Sequence, residues 1–183
     1  MEFRPGPGYN TPHLIEKFVF NLKSPKLRRK LILVKEEVET RHHIVLKILA
    51  YLLYYDPRLK IESAVRMHYQ PDLVIEGDHG IPELWIDCGQ IAIRKVESLA
   101  QKLRTTRIVL VKQTKRELEV FQKVVSKKVD HSERIQYLAF EPGFVDGIAE
   151  ALDRQNDLTL YEVMENVIGL ALNGEIFEST LYH

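Results

Sequence analysis

The chain has 183 residues, 45% hydrophobic and 28% charged, the proportions of one globular domain with a full core. Its 26 Lys and Arg balance 26 Asp and Glu, so total charge makes no case for a polyanion or a membrane surface. Cys88 is the one cysteine, which excludes an intrachain disulfide; with no secretory signal in "MEFRPGPGYNTP", the expected location is the cytoplasm.

Residues 1–12 are rich in Gly and Pro and read as a loosely ordered surface segment. "KFVFNLK" and "RKLILVK" alternate apolar with polar and predict two strands around "SPKLRR". That turn and its flanks carry Lys23, Lys26, Arg28, Arg29 and Lys30 without an acid. They read as a solvated hairpin end or as a phosphate-contacting patch.

A helix is expected from about Glu37 to Tyr55, apolar over too much of its circumference to lie on a surface. Lys47 interrupts its stretch "IVLKILAYLLYY", which is too short to span a membrane. "YDPR" ends it, because Pro57 cannot continue the helical bonding. "SAVRMHY" is a short strand or an irregular approach to Pro71. "DLVIE" and "ELWIDC" are strands, with Cys88 a small buried filler. "IRKVESLAQKL" is an amphipathic helix and "RIVLV" a strand covered on both faces. "KRELEVFQKVVSKK" (helix), "RIQYLAF" (strand) and "GFVDGIAEALDR" (helix) continue an α/β rhythm with parallel crossovers. "LTLYEV", "VIGLAL" and "EIFESTLY", parted by "MEN" and "NG", predict a closing antiparallel meander.

The neutral total hides an uneven distribution. Arg94 to Lys128 holds eleven Lys and Arg against three Glu, and Glu141 to Glu178 holds nine acids against Arg154. The basic stretch is solvated helix surface or a groove for a polyanion.

Asp72 and Asp87 stand in apolar strands, which deplete Asp. If the two strands form a hairpin with Val74 opposite Trp85, then Asp72 falls opposite Asp87 and Glu76 opposite Glu83. Opposed Cβ atoms lie about 4.5–5.5 Å apart, and two unpaired carboxylates that close repel. A divalent cation removes the conflict, and Mg²⁺ accepts such a pair together with waters and a phosphate. Turn capping, or Arg and Lys partners, is the alternative account of the same two acids.

Pro71-Asp72, a hairpin, then Asp87 and a helix resembles the PD-(D/E)XK nuclease-like core, and more narrowly the YaeQ family. The resemblance rests on "ETRHHIVLKILAYLL", "PDLVIEG", "ELWIDCGQ" and Arg94-Lys95, and extends over nearly the whole chain from about Phe18. It implies a mixed sheet flanked by helices, a restriction-endonuclease-like core, with Asp72 and Asp87 as ligands of Mg²⁺ or Mn²⁺ and Glu39 as a further acid. It also implies metal-dependent cleavage of phosphodiesters. The lysine of (D/E)XK would fall at Gly89, which cannot supply its charge. Gln90, redirected by a bulge at Gly89, or Lys95 or Arg94 from the next helix, would take that role. Two functions follow: a nuclease using Asp72, Asp87, Gln90 and Lys95, with nucleic acid drawn to residues 94–128, or a non-catalytic relative that binds nucleic acid or a protein. His42 and His43 are adjacent on the helix and cannot ligate as an i, i+4 pair. His68 lies close to Pro71 in sequence, and His79 marks the hairpin tip.

Overall fold

The computed structural model describes residues 16–183; the expected loose segment 1–12 lies outside the described residues. Among the described residues ten strands form two mixed five-stranded sheets rather than the one sheet expected. The first sheet contains β1 (Glu16–Ser24), β2 (Leu27–Lys35), β8 (Gln155–Met164), β9 (Val167–Leu172) and β10 (Glu175–Thr180), in the order β10-β9-β8-β1-β2. The meander therefore joins the N-terminal hairpin, because β8 pairs in parallel with β1. The second contains β3 (Lys60–Ile61), β4 (Leu73–Glu76), β5 (Pro82–Cys88), β6 (Arg107–Thr114) and β7 (Ile135–Phe140), in chain order. Its β3-β4-β5 half is antiparallel and its β5-β6-β7 half parallel.

Helices α1 (Arg41–Leu53) and α4 (Phe144–Ala151) share one core with residues of both sheets, such as Phe18, Leu33, Ile86 and Val111. Helices α2 (Ile93–Lys102) and α3 (Lys115–Lys128) close the far face of the second sheet over Trp85, Leu110 and Val125. The layers run sheet, helix, sheet, helix. Packed between two sheets, α1 buries its residues 44–52 without a break, as its all-round apolar sequence requires. It starts at Arg41 rather than near Glu37, because the Thr40 hydroxyl caps it by accepting from His43 N at 3.2 Å.

Strand alternation decides which helix each residue of β5 meets. Leu84, Ile86 and Cys88 join the α1 core, and Trp85 joins the α2–α3 core. The segment after β3 is irregular, not a strand, and His68 there is exposed against Tyr69. His79 is exposed at the β4–β5 tip with φ +58°, as expected for a turn.

The β4–β5 register matches expectation for Leu73–Ile86, Val74–Trp85 and Ile75–Leu84, then departs at both ends. A bulge after Ile75 sets Glu76 opposite Pro82 instead of Glu83. Lys60 then takes Glu76 at 3.0 Å and Arg58 takes Glu83 at 2.8 Å. At the other end Asp72 precedes the first paired residue, Leu73, so it does not lie in the ladder directly opposite Asp87. Asp72 N–H still donates to Ile86 O at 3.0 Å. The next N–H of β5, on Cys88, is taken by the Asp72 carboxylate itself at 2.7 Å.

Candidate active site

Asp72 sits where β4 begins, and its side chain completes the edge of the hairpin. One oxygen accepts from Cys88 N, and the other stands 3.2 Å from His43 Nε2, which α1 supplies from its first turn. Burial pushes this carboxyl up, but His43, the Cys88 N–H and Lys47 together hold it below the usual carboxylate range.

Asp87 is 1% exposed and follows Trp85 on the α2 side of the sheet. Lys95, from the first turn of α2, brings its ammonium within 2.9 Å of both carboxylate oxygens. The same nitrogen donates to Gln70 O at 2.8 Å and lies 5.6 Å from the Trp85 ring centre. Burial raises the Asp87 carboxyl above its ordinary value; Lys95 pulls it down and the nearby Asp72 charge adds to the rise. The two aspartates thus feel each other, while each faces a side chain from a different helix, His43 of α1 at Asp72 and Lys95 of α2 at Asp87.

Glu39 lies just before α1, bonded on both oxygens. Oε2 accepts from Glu36 N at 2.9 Å. Oε1 is 2.6 Å from Lys47 Nζ and 3.0 Å from His43 Nδ1. Lys47 is fully buried and also donates to Glu62. Glu62, Lys47, Glu39, His43 and Asp72 therefore form one unbroken chain of polar contacts. Glu39 reaches Asp72 only through His43.

Beyond Cys88 the backbone turns at Gly89, with φ +71°. Lys112 of β6 donates to Gly89 O at 2.6 Å, with its ammonium 3.7 Å from the Phe121 ring centre. Burial brings this ammonium down to about 8. Gln90 follows the turn and is exposed at the end of β5. Cys88 is buried, and burial drives its thiol well above the ordinary value, so it is a filler and not a nucleophile.

Sequence reasoning set His43 aside as unable to pair with His42 as a ligand, and missed Lys112. It also treated Lys47 only as an interruption, although a lysine inside an apolar helix signals a buried partner. A separate cluster joins His42 Nε2 and Gln113 to Asp146 at 3.0 and 2.8 Å; its members are too far apart in sequence to be grouped by spacing. Of the basic stretch, Lys95, Arg107 and Lys112 face internal contacts. Arg94, Lys102, Arg104, Lys115, Arg116, Lys123, Lys127 and Lys128 remain exposed on α2, α3 and the connection after α2.

Among the described residues, three buried side-chain polar atoms lack a hydrogen-bond partner: His43 Nε2, Trp85 Nε1 and Asp87 Oδ2. His43 Nε2 and Asp87 Oδ2 have their charge partners close by but poorly aimed for a hydrogen bond. All three belong to the surroundings of Asp72 and Asp87. No group of three His, Cys, Asp or Glu suited to a metal ion occurs among the described residues. The candidate oxygen donors are the two aspartates, the ligand type a hard cation such as Mg²⁺ takes, but Cys88 N–H and His43 engage Asp72 and Lys95 engages Asp87, so an ion there would have to displace Lys95 or His43.

The family model described as YaeQ protein matches residues 28–181. The chain belongs to the YaeQ family. The YaeQ protein from Xanthomonas axonopodis pv. citri shares the fold at a TM-score of 0.73 and 16% identity, over 91% of this chain and 95% of that one. The YaeQ protein from Pseudomonas syringae does so at 0.70 and 17% identity, over 93% and 95%. A search of curated proteins finds no match. No helix among the described residues of this YaeQ-family chain is long and apolar enough to cross a membrane.

At Gly89, where the resemblance to the (D/E)XK motif would put a lysine, the backbone disfavours any side chain. A Cβ there would meet only Leu46 Cδ1 at 3.8 Å and His43 Cδ2 at 3.9 Å, so space is not the obstacle. The left-handed backbone is, and it costs an L-residue about 1–2 kcal/mol. Gly89→Lys is therefore expected to lower the midpoint of thermal unfolding by about 4 °C, read by circular dichroism. It is expected to bring no gain in any activity of the site.

Proposed function

We propose that this YaeQ-family chain is a metal-dependent phosphodiesterase acting on nucleic acid, with its α1–β4–β5–α2–β6 block in the PD-(D/E)XK nuclease-like superfamily. The observation that carries the reading is a pair of aspartates on one hairpin, near enough that the charge of Asp72 raises the Asp87 carboxyl, with the Lys95 ammonium 2.9 Å from Asp87. Asp72 and Asp87 would hold Mg²⁺ or Mn²⁺, which supplies a Lewis acid and an activated water at neutral pH.

The remaining roles belong to the chain's own residues. Lys95 brings to Asp87 from α2 the positive charge that Gly89 lacks, and it would offset charge on a phosphoryl oxygen. Lys112 pins the Gly89 carbonyl and so holds the turn that presents Gln90, whose amide would orient a water. Glu39, clamped by Lys47, fixes His43 against Asp72 and acts as a support for the site. The exposed cations of α2 and α3 would attract the polyanion.

A second reading has its own support. Both aspartates already face basic side chains of the chain, His43 at Asp72 and Lys95 at Asp87, and this favours a relative that binds nucleic acid or a protein without cutting.

The test is cleavage of labelled single- and double-stranded DNA and RNA in Mn²⁺, wild type against Asp72→Ala. Loss of a ligand is expected to slow cleavage by at least about 10²-fold; cleavage that survives overturns the reading. Mn²⁺ is expected to quench the fluorescence of Trp85, the only tryptophan, and Asp87→Asn to weaken that quenching. Salt-sensitive binding without cleavage would favour the second reading.

A further inference from the structure

The outer face of the β1–β2 hairpin carries charge that the fold does not use. The run from Lys17 to Lys35 contains seven Lys and Arg and no acid. Alternation sends Phe18, Phe20 and Leu22 into the core and leaves Lys23, Arg28 and Lys30 exposed on the other side. Lys23 lies directly opposite Arg28, and Lys30 opposite Asn21. Like charges placed opposite each other destabilise a ladder, so this pair does not serve the hairpin. Lys26 adds a further exposed cation in the turn. Among the described residues these four cations form no ion pair, whereas Arg29, on the inner side, donates to Tyr51 OH at 3.1 Å.

The neighbouring strand adds an aromatic. In β8, Leu158 and Leu160 point into the core and Tyr161 is 57% exposed, just beyond the position where Thr159 pairs with Lys23. Of the acids on the same sheet, Asp157 adjoins the patch through Asn21. Asp157 is bonded to Asn21 at 2.9 Å, and Glu175 and Glu178 lie on β10, the opposite edge.

We infer that this face is a binding surface for single-stranded nucleic acid. The sugar-phosphate backbone follows β1 and β2 across Lys23, Arg28, Lys30 and Lys26, and a base stacks on Tyr161. A basic sheet face with an exposed aromatic combines the two contacts that hold single strands, phosphate neutralisation and stacking. The surface lies on the first sheet, while Asp72 and Asp87 belong to the hairpin of the second, and it holds a strand whether or not that strand is cut.

The experiment is fluorescence anisotropy of a labelled single-stranded oligonucleotide, a duplex of equal length, and vesicles of mixed phosphatidylserine and phosphatidylcholine. It is done in EDTA, so that failure of cleavage and failure of binding are read separately. Removing three phosphate contacts in the variant Lys23→Ser/Arg28→Ser/Lys30→Ser is expected to lower single-strand affinity by about 100-fold at about 0.1 M salt. The slope of log K against log salt should flatten by about two. Lys26→Ser alone should cost about fivefold, and Tyr161→Ser about tenfold. The substituted side chains are exposed, and circular dichroism checks that the fold is kept. Binding that the triple variant leaves unchanged overturns the proposal, as does no binding by the wild type or capture by vesicles alone. Duplex held as tightly as single strand, or an inert Tyr161→Ser, overturns the single-strand assignment.

Discussion

Lys95→Met is expected to reduce cleavage by about 10²–10³-fold while Mn²⁺ still quenches Trp85. Methionine keeps an unbranched apolar stem, so the change isolates the ammonium. Its loss should fall on kcat more than on KM, because a charge needed for the developing phosphoryl oxyanion acts in the transition state. Equal loss in a rate and in metal binding would instead mark Lys95 as a support for Asp87 alone.

The same variant makes a thermodynamic prediction. Asp87 is almost fully buried and would lose its cation, and breaking a buried pair in this way costs about 3 kcal/mol. The Asp87 carboxyl is raised in the native protein, so the folded state holds its proton more tightly than the unfolded chain. Charged Asp87 therefore costs stability above its folded pKa, and that cost fades as pH falls toward the ordinary carboxylate value. Removing Lys95 pushes the folded pKa higher still. Urea unfolding should show a deficit largest at neutral pH that shrinks as pH falls, because a proton replaces the ammonium. A deficit independent of pH would mean that only packing was lost. Asp72 behaves oppositely: its carboxyl is lowered, so its stabilising contribution is lost as pH falls from the ordinary carboxylate value through the depressed one.

Lys47→Met is the second large effect, and it acts on stability. Lys47 is completely buried, with its ammonium shared between Glu39 and Glu62. Burial pulls its pKa down, but the bonds to the two glutamates outweigh this and leave it raised. Its contribution is thus complete below the ordinary lysine pKa and lost as pH rises through the raised one. Without it the largely buried Glu39 keeps only His43 and the Glu36 N–H and loses its ammonium, whereas Glu62, which is half-exposed, recovers water. A loss of about 3 kcal/mol is expected at neutral pH, or about 10 °C in thermal midpoint for a chain of this length. Adding Glu39→Gln should restore about 1–2 kcal/mol, because the orphaned charge is then gone. A single-variant loss below about 1 kcal/mol would show that the buried ammonium hardly matters. Cleavage should fall too, since Glu39 is what holds His43 against Asp72.

Much of the fold was legible because its periodicities are clean. Helix α3 was expected over its observed span, and the middle of the β4–β5 register follows from matching Val74 to Trp85. The ends of that hairpin were not legible. Pro82 has no N–H for the ladder, and a bulge after Ile75 moves Glu76 away from Glu83. At Asp72 the side chain competes with the backbone for the Cys88 N–H, a property of Asp known in advance, although its use here was not. The two sheets were read as one because β1 finds its parallel neighbour in β8, 136 residues later at Val19 and Gln155.

Read alone, the sequence determined where strands and helices run, and that Asp72 and Asp87 fall on one hairpin. Local propensity and apolar period are short-range properties, and neighbours in the chain carry them. Tertiary structure alone decided the company of each carboxylate: Lys95 for Asp87, His43 for Asp72, Lys47 for Glu39. Those partners come from α1 and α2, which reach the hairpin through side-chain directions and layer packing. Electrostatic energy depends on separation in space and on burial, and sequence spacing specifies neither.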